Sequence, residues 1–258
     1  SISVNRVQGT NGIDIKGKNF TQEGSLYTED NLTIDAEQTI LNGTGTQAKS
    51  INISGKLNNN TNIYATEDLT IGNNTINKGK MITEKSLTIN GSVDSDNLIY
   101  AKDEVRIAGT LNNKNELQSE NNINVGGDTT NSGKIITSKK LDINGKLDNT
   151  GTVYAEESIK TGNLNNSGSI QSKGDIIAGD TKNDGKILTE GNLNIKNLEN
   201  SKEIITGKQI TVNNIENKTG AKLSSGEKIT VNGNVINHGT VKVNEDLKYS
   251  RYFYTELK

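Results

Sequence analysis

The side chains best suited to acid–base chemistry are His238 and a set of adjacent carboxylates, Glu29-Asp30, Glu67-Asp68, Asp103-Glu104, Glu156-Glu157 and Glu245-Asp246. Two carboxylates at a fixed separation across a cleft are what glycoside cleavage needs: one protonates the leaving oxygen while the other attacks or activates water. A lone imidazole suits general-base work. The chain has no cysteine, which removes thiolate nucleophiles, thiolate metal sites and any disulfide framework. Gly126-Gly127-Asp128 is a single partial match to the G-G-x-G-x-D calcium repeat. No phosphate loop or nucleophile triad is legible.

What would have to position these groups is bounded by composition. The chain has 258 residues, 30% of them hydrophobic, with 27 Gly, no Pro, no Trp, one Met and one His. Taken alone, so low an apolar fraction suggests disorder. The net charge of −2 gives no footprint for nucleic acid or an anionic membrane. No apolar run reaches the length of a membrane-spanning helix. The chain opens at Ser1 without Met or a signal peptide, so it is expected to be mature or cut from something longer.

Self-similarity overturns the disorder reading. In register the chain runs TNIYATEDLTIGNNTINK (61–78), GKMITEKSLTINGSVDSD (79–96) and NLIYAKDEVRIAGTLNNK (97–114), and the pattern continues through GKILTEGNLNIKNLENS (185–201), with looser copies at 5–60 and 202–258. The period is 17 to 20 residues. Each unit alternates apolar and polar residues in two short bursts, with a third, weaker apolar site near its end, which predicts short strands with one buried face. The third position holds Val7, Leu26, Ile63, Met81, Ile99, Leu117, Ile135, Val153, Ile170, Ile187, Ile204 and Val241. Two residues on stands a small residue, as at Ala65, Thr83, Ala101 and Ser119. The ninth is Leu, Ile or Val from Ile13 to Leu247, and Ile or Val dominates the eleventh.

One unit cannot bury three apolar sites alone. Stacked coils set like upon like, and each backbone bonds to the next. The expected fold is an all-β, single-stranded parallel β-helix of about 12–14 coils over 1–248. At about 4.8 Å per coil it makes a rod of roughly 60 Å. Asn recurs two places before Gly at Asn77, Asn131, Asn149, Asn166, Asn183 and Asn237. These are expected to make turns, since Asn tolerates left-handed backbone and Gly adopts it freely; stacked Asn side chains could also bond coil to coil.

The pattern N-x-G-x-I-x-[ST]-x-x-x-L-x-I followed by L-x-N closely resembles the haemagglutinin repeats of the filamentous haemagglutinin and CdiA family of exoproteins, over about 5–248. The resemblance implies a right-handed parallel β-helix of triangular section. It implies export through an outer-membrane two-partner secretion transporter and location at the bacterial cell surface or outside the cell. It also implies a shaft role, either in adhesion to a host or bacterial cell-surface receptor or in presenting a contact-dependent toxin. The family's N-terminal secretion domain and a toxin domain are not recognisable here.

The enzyme alternative is a hexapeptide-repeat acyltransferase or a polysaccharide lyase. Spacing such as Met81, Leu87, Val93 mimics the hexapeptide repeat, but that fold requires six residues per side and these units slip in length. His238 sits in Asn237-His238-Gly239, where sister units carry Ser, Asp or Lys, and reads as a turn residue. The carboxylate pairs fall where other units carry Lys139-Lys140 or Glu84-Lys85. A pair that changes sign from coil to coil is a solvated corner, so no catalytic residue, metal or cofactor is expected.

The fourth position should face solvent, yet it holds Tyr27, Tyr64, Ile82, Tyr100, Ile136, Tyr154, Leu188 and Ile205, interrupted by Gln118 and Gln171. Stacked, they would form an apolar outer stripe. Strand propensity explains such residues; docking of another chain, a flanking segment or a receptor is the functional alternative. The tail at 249–258 is aromatic-rich and drops the repeat, as a cap or as the start of a following segment.

Overall fold

The computed structural model describes residues 1–243. Glu245-Asp246, Leu247 and the aromatic tail at 249–258 lie outside the described residues. The described chain is all β: its 37 strands form one continuous parallel sheet wound into a solenoid of about 13 turns. No helix among the described residues is long and apolar enough to cross a membrane.

One turn shows the plan. Strands Ile63–Ala65, Leu69–Ile71 and Thr75–Asn77 form three sides, joined by corners of a few residues. Each strand pairs in parallel with its counterpart one turn on, Ile63 with Met81, Leu69 with Leu87 and Thr75 with Val93. The step is 18 residues there, 17 from Val153 to Ile170 and 20 from Leu26 to Thr46. Length differences are absorbed at corners, so the columns stay in register.

Alternation turns every second side chain inward. Ile63, Met81 and Ile99 are at most 1% exposed. The ninth and eleventh positions form two more interior columns, Leu69–Leu87–Val105 and Ile71–Ile89–Ile107. Burying each such side chain contributes about 1.5–3 kcal/mol, which is how a chain with few hydrophobic residues holds a core. The column on the third side is mixed: Phe20, Leu57, Val93, Leu111 and Leu147 share it with Thr39, Thr75 and Thr129. Those three threonine hydroxyls are buried without a hydrogen-bond partner. On the final described turn Val235, Val241 and Val243 are exposed, for no described coil lies over them.

The small residues after the first side belong to a tight corner. Ser119 Oγ donates to the carbonyl of Asp103 on the preceding coil (2.7 Å) and accepts from the Asn121 amide (3.1 Å). Thr83 and Thr137 make the same pair of bonds, with Glu67 and Lys85 and with Asn121 and Lys139. These short hydroxyl side chains satisfy backbone groups that the corner takes out of the ladder.

The expected left-handed turn chemistry is corrected. No described non-glycine residue has a positive φ, and the glycines that do are Gly12, Gly45 and Gly220, none of them following the asparagines above. Glycine is needed after those asparagines because coils approach closely there. A Cβ on Gly79 would lie 1.6 Å from the carbonyl oxygen of Thr61, and one on Gly151 would lie 2.0 Å from that of Gly133.

Candidate functional site

The asparagines read as turn residues end the third-side strands and point inward. Asn77, Asn131 and Asn183 are fully buried. Burying a primary amide is costly unless its donors and acceptor are used, and stacking uses them. Asn131 Nδ2 donates to Asn149 Oδ1 (2.8 Å), Asn149 to Asn166 (2.8 Å), Asn166 to Asn183 (2.8 Å) and Asn183 to Asn200 (2.9 Å). The second amide hydrogen serves backbone carbonyls, as in Asn149 Nδ2 to Gly151 O at 3.1 Å. The ladder runs unbroken from Asn113 to Asn237 through Asn200 and Asn217. A shorter piece joins Asn59, Asn77 and Ser95.

The Asn-x-Gly spacing missed Asn59, Asn113, Asn200 and Asn217, because no glycine follows them two places on. The signal that finds them is their column, two residues after the third-side apolar site.

The fourth-position residues stack into one outer column, in the order Tyr27, Gln47, Tyr64, Ile82, Tyr100, Gln118, Ile136, Tyr154, Gln171, Leu188, Ile205. Gln47 joins the column between Tyr27 and Tyr64 although it lies in the loosely repeating segment before residue 60. Apart from Gln47, which is exposed, the column is half-buried rather than open to solvent, and Tyr154 is only 3% exposed. Neighbouring rungs are one strand spacing apart, so large side chains shield one another, and Glu156 and Lys173 cover Tyr154 further.

The tyrosine hydroxyls find acceptors at the adjoining corner. Tyr64 donates to Glu84 Oε1 (3.2 Å), Tyr100 to Glu120 Oε1 (2.5 Å) and Tyr154 to Glu156 Oε1 (3.2 Å). Burial pushes the Tyr64, Tyr100 and Tyr154 phenols above the ordinary tyrosine range, and the neighbouring carboxylates add to the rise.

A cleft of about 320 Å³ opens in this column between Tyr27 and Tyr64, with Thr44, Gly45, Gln47 and Asn62 among its lining. A larger open groove of about 550 Å³ follows the third side, lined by Asn165, Lys182, Glu199, Asn214 and Ile236 among others. Outer amides bridge coils in it, Asn214 to Asn197 and Asn197 to Asp180, both at 2.7 Å.

Several of the carboxylates considered for acid–base chemistry are engaged by cations at the corners. Glu67 pairs with Lys85 (3.2 Å), Glu156 with Lys173 (2.9 Å) and Glu157 with Lys139 (3.6 Å), each across one coil step at the corner. Such exposed pairs contribute about 0–1 kcal/mol each. His238 is exposed, with its backbone amide on the Asn217 carbonyl (2.8 Å). Among the described residues no group of His, Asp or Glu has the arrangement of a metal site. Comparison with protein-family models, with curated proteins and with solved structures found no match to this chain.

Proposed function

We propose that this chain is a structural shaft segment of a large secreted bacterial surface filament, serving adhesion or the presentation of a contact-dependent toxin. The observation that carries the reading is unbroken parallel pairing from Ile2 to Val243, with the same three sides kept through every turn. Among the described residues no long loop leaves the solenoid to wall a deep cleft, and the property that repetition sets along it is length. Each coil touches chiefly its neighbours, and such an array resists bending because every coil step is held by three strand pairings and interior columns. The resemblance of the repeat to haemagglutinin-type exoproteins supports extracellular placement and passage through an outer-membrane transporter, with a cell-surface receptor as partner.

The test is a length series. Deleting residues 79–132, three whole units, should shorten the particle by about 14 Å at unchanged cross-section in small-angle scattering. Exchanged for shaft repeats of a haemagglutinin-type exoprotein, the chain should support secretion and surface display. A deletion that unfolds the rod, or a chimera retained inside the cell, would refute the reading.

A further inference from the structure

The coil between Gly43 and Ala48 departs from the repeat in two ways, and carries at its outer position a glutamine of the kind also found at Gln118 and Gln171. The first-side interior position, apolar in Leu26 and Ile63, is Thr46, which is buried. The residue before it is Gly45, at φ 154°, where an added Cβ would meet nothing closer than 3.7 Å. The outer position holds Gln47 between two tyrosines. Where Gly45 has no side chain and Gln47 stands between Tyr27 and Tyr64, the surface dips into the cleft of about 320 Å³.

Its floor is pinned from inside. Gln22 is fully buried; its Nε2 donates to Gly45 O (2.7 Å) and Gly24 O (2.9 Å), and its Oε1 accepts from Thr46 Oγ1 (2.9 Å). A buried polar network that replaces apolar packing at one coil fixes the backbone there, and departures of this kind from a repeat's own rules occur at functional or strained positions.

We propose that this cleft is a binding subsite for a neutral, extended β-linked glycan, with Tyr27 and Tyr64 as its aromatic platforms. The volume falls at the small end of ligand sites. The lining offers aromatic surface and the polar side chains of Thr44, Gln47 and Asn62, with no charged residue. Sugar C–H groups bear partial positive charge and lie well on the negative face of an aromatic ring, while amide and hydroxyl groups suit sugar hydroxyls. Spacing selects the ligand further. Tyr27 and Tyr64 are two coil steps apart, and so are Tyr64 and Tyr100. Two steps span about 9.6 Å, matching the two-sugar repeat of an extended β-1,4-linked chain. The inference rests on the shaft reading for its adhesive setting only; the chemistry belongs to the cleft.

The experiment is calorimetric titration of the purified chain with β-1,4-linked oligomers of glucose and of N-acetylglucosamine, from one to six sugars. At least one series should bind saturably, and more tightly as the oligomer lengthens beyond two sugars. Tyr27→Ala and Tyr64→Ala should each weaken binding by about tenfold or more, the loss typical of a truncated aromatic anchor, while Tyr27→Phe retains it. Gln47→Trp, which fills the cleft from outside, should abolish binding with melting unchanged, and so guards against a misfolded alanine variant. No saturable binding in either series, or equal binding by wild type and Gln47→Trp, would overturn the proposal. Scattering on the same sample reports independently whether the rod itself is intact.

Discussion

Ser95 and Asn113 face each other one coil apart at the same interior position, and the amide ladder breaks between them. Ser95 Oγ accepts from Asn77 Nδ2 (3.1 Å) but donates to the carbonyl of Asn97 (2.8 Å), so Asn113 Oδ1 is buried without a partner. The columns on both sides of this step are asparagine. A serine is too short to pass the hydrogen bond on.

Ser95→Asn is therefore expected to join the two ladder pieces and stabilise the protein by about 1 kcal/mol, the net worth of a buried hydrogen bond together with relief of an unsatisfied acceptor. Urea unfolding monitored by circular dichroism measures it. A lower midpoint would show that the cavity at Ser95 cannot hold the amide.

Cutting the ladder should cost more. Asn149→Ala removes the acceptor of Asn131 and the donor to Asn166 in one change. The expected loss is about 2–3 kcal/mol, since buried polar groups lose partners on both sides. Asn149→Leu keeps the volume and has a precedent in Leu41, which stands in the same column; it should recover packing but not the bond to Asn166. Comparing the two midpoints separates cavity from hydrogen bonding.

Gly79→Ala tests the close approach of coils. The new methyl would meet the Thr61 carbonyl at 1.6 Å, so backbone must move, at a cost of about 1–3 kcal/mol or more. Thr88→Ala, on the outer face of the second side, should change stability by less than about 0.5 kcal/mol. Melting temperatures of the two variants should differ clearly in that order.

Alkaline pH should weaken the fold through the tyrosine column. Burial and Glu120 raise the Tyr100 phenol above its ordinary pKa of 10.0. A group whose pKa is higher folded than unfolded gives stability that is complete below the unfolded value and is lost as pH rises toward the folded one. Unfolding free energy should thus begin to fall above about pH 10, and Tyr100→Phe should make that fall shallower. Equal slopes for both proteins would mean that Tyr100 does not contribute to it.

The apolar columns were legible because alternation and a 17–20-residue period constrain them together. Ile63 and Met81 had to point the same way once their units were aligned. Coil-to-coil bonding by Asn131 was legible as one option, and the structure shows it, but its burial was not: polarity places an asparagine outside, and only a partner in the same column can bring it in. The failure at Tyr154 has another cause. Outward direction was right, but exposure depends on Ile136, Gln171, Glu156 and Lys173 from neighbouring turns, and a single unit contains none of the side chains of adjoining rungs. The cleft beside Gln47 required knowing that the loosely repeating segment before residue 60 keeps the column, which becomes evident only through the Tyr27–Gln47–Tyr64 register.

Every amide in the interior asparagine series hands its hydrogen to the following turn and none hands it back. The interior thus carries an arrow. A completed turn offers its successor an aimed donor and three open strand edges, and needs only one further period of chain in hand to advance. Wherever this stack is cut between Asn113 and Asn237, the piece on the amino side ends on an open amide donor and the piece on the carboxyl side begins with an open amide acceptor, so the two cut faces are unlike and complementary.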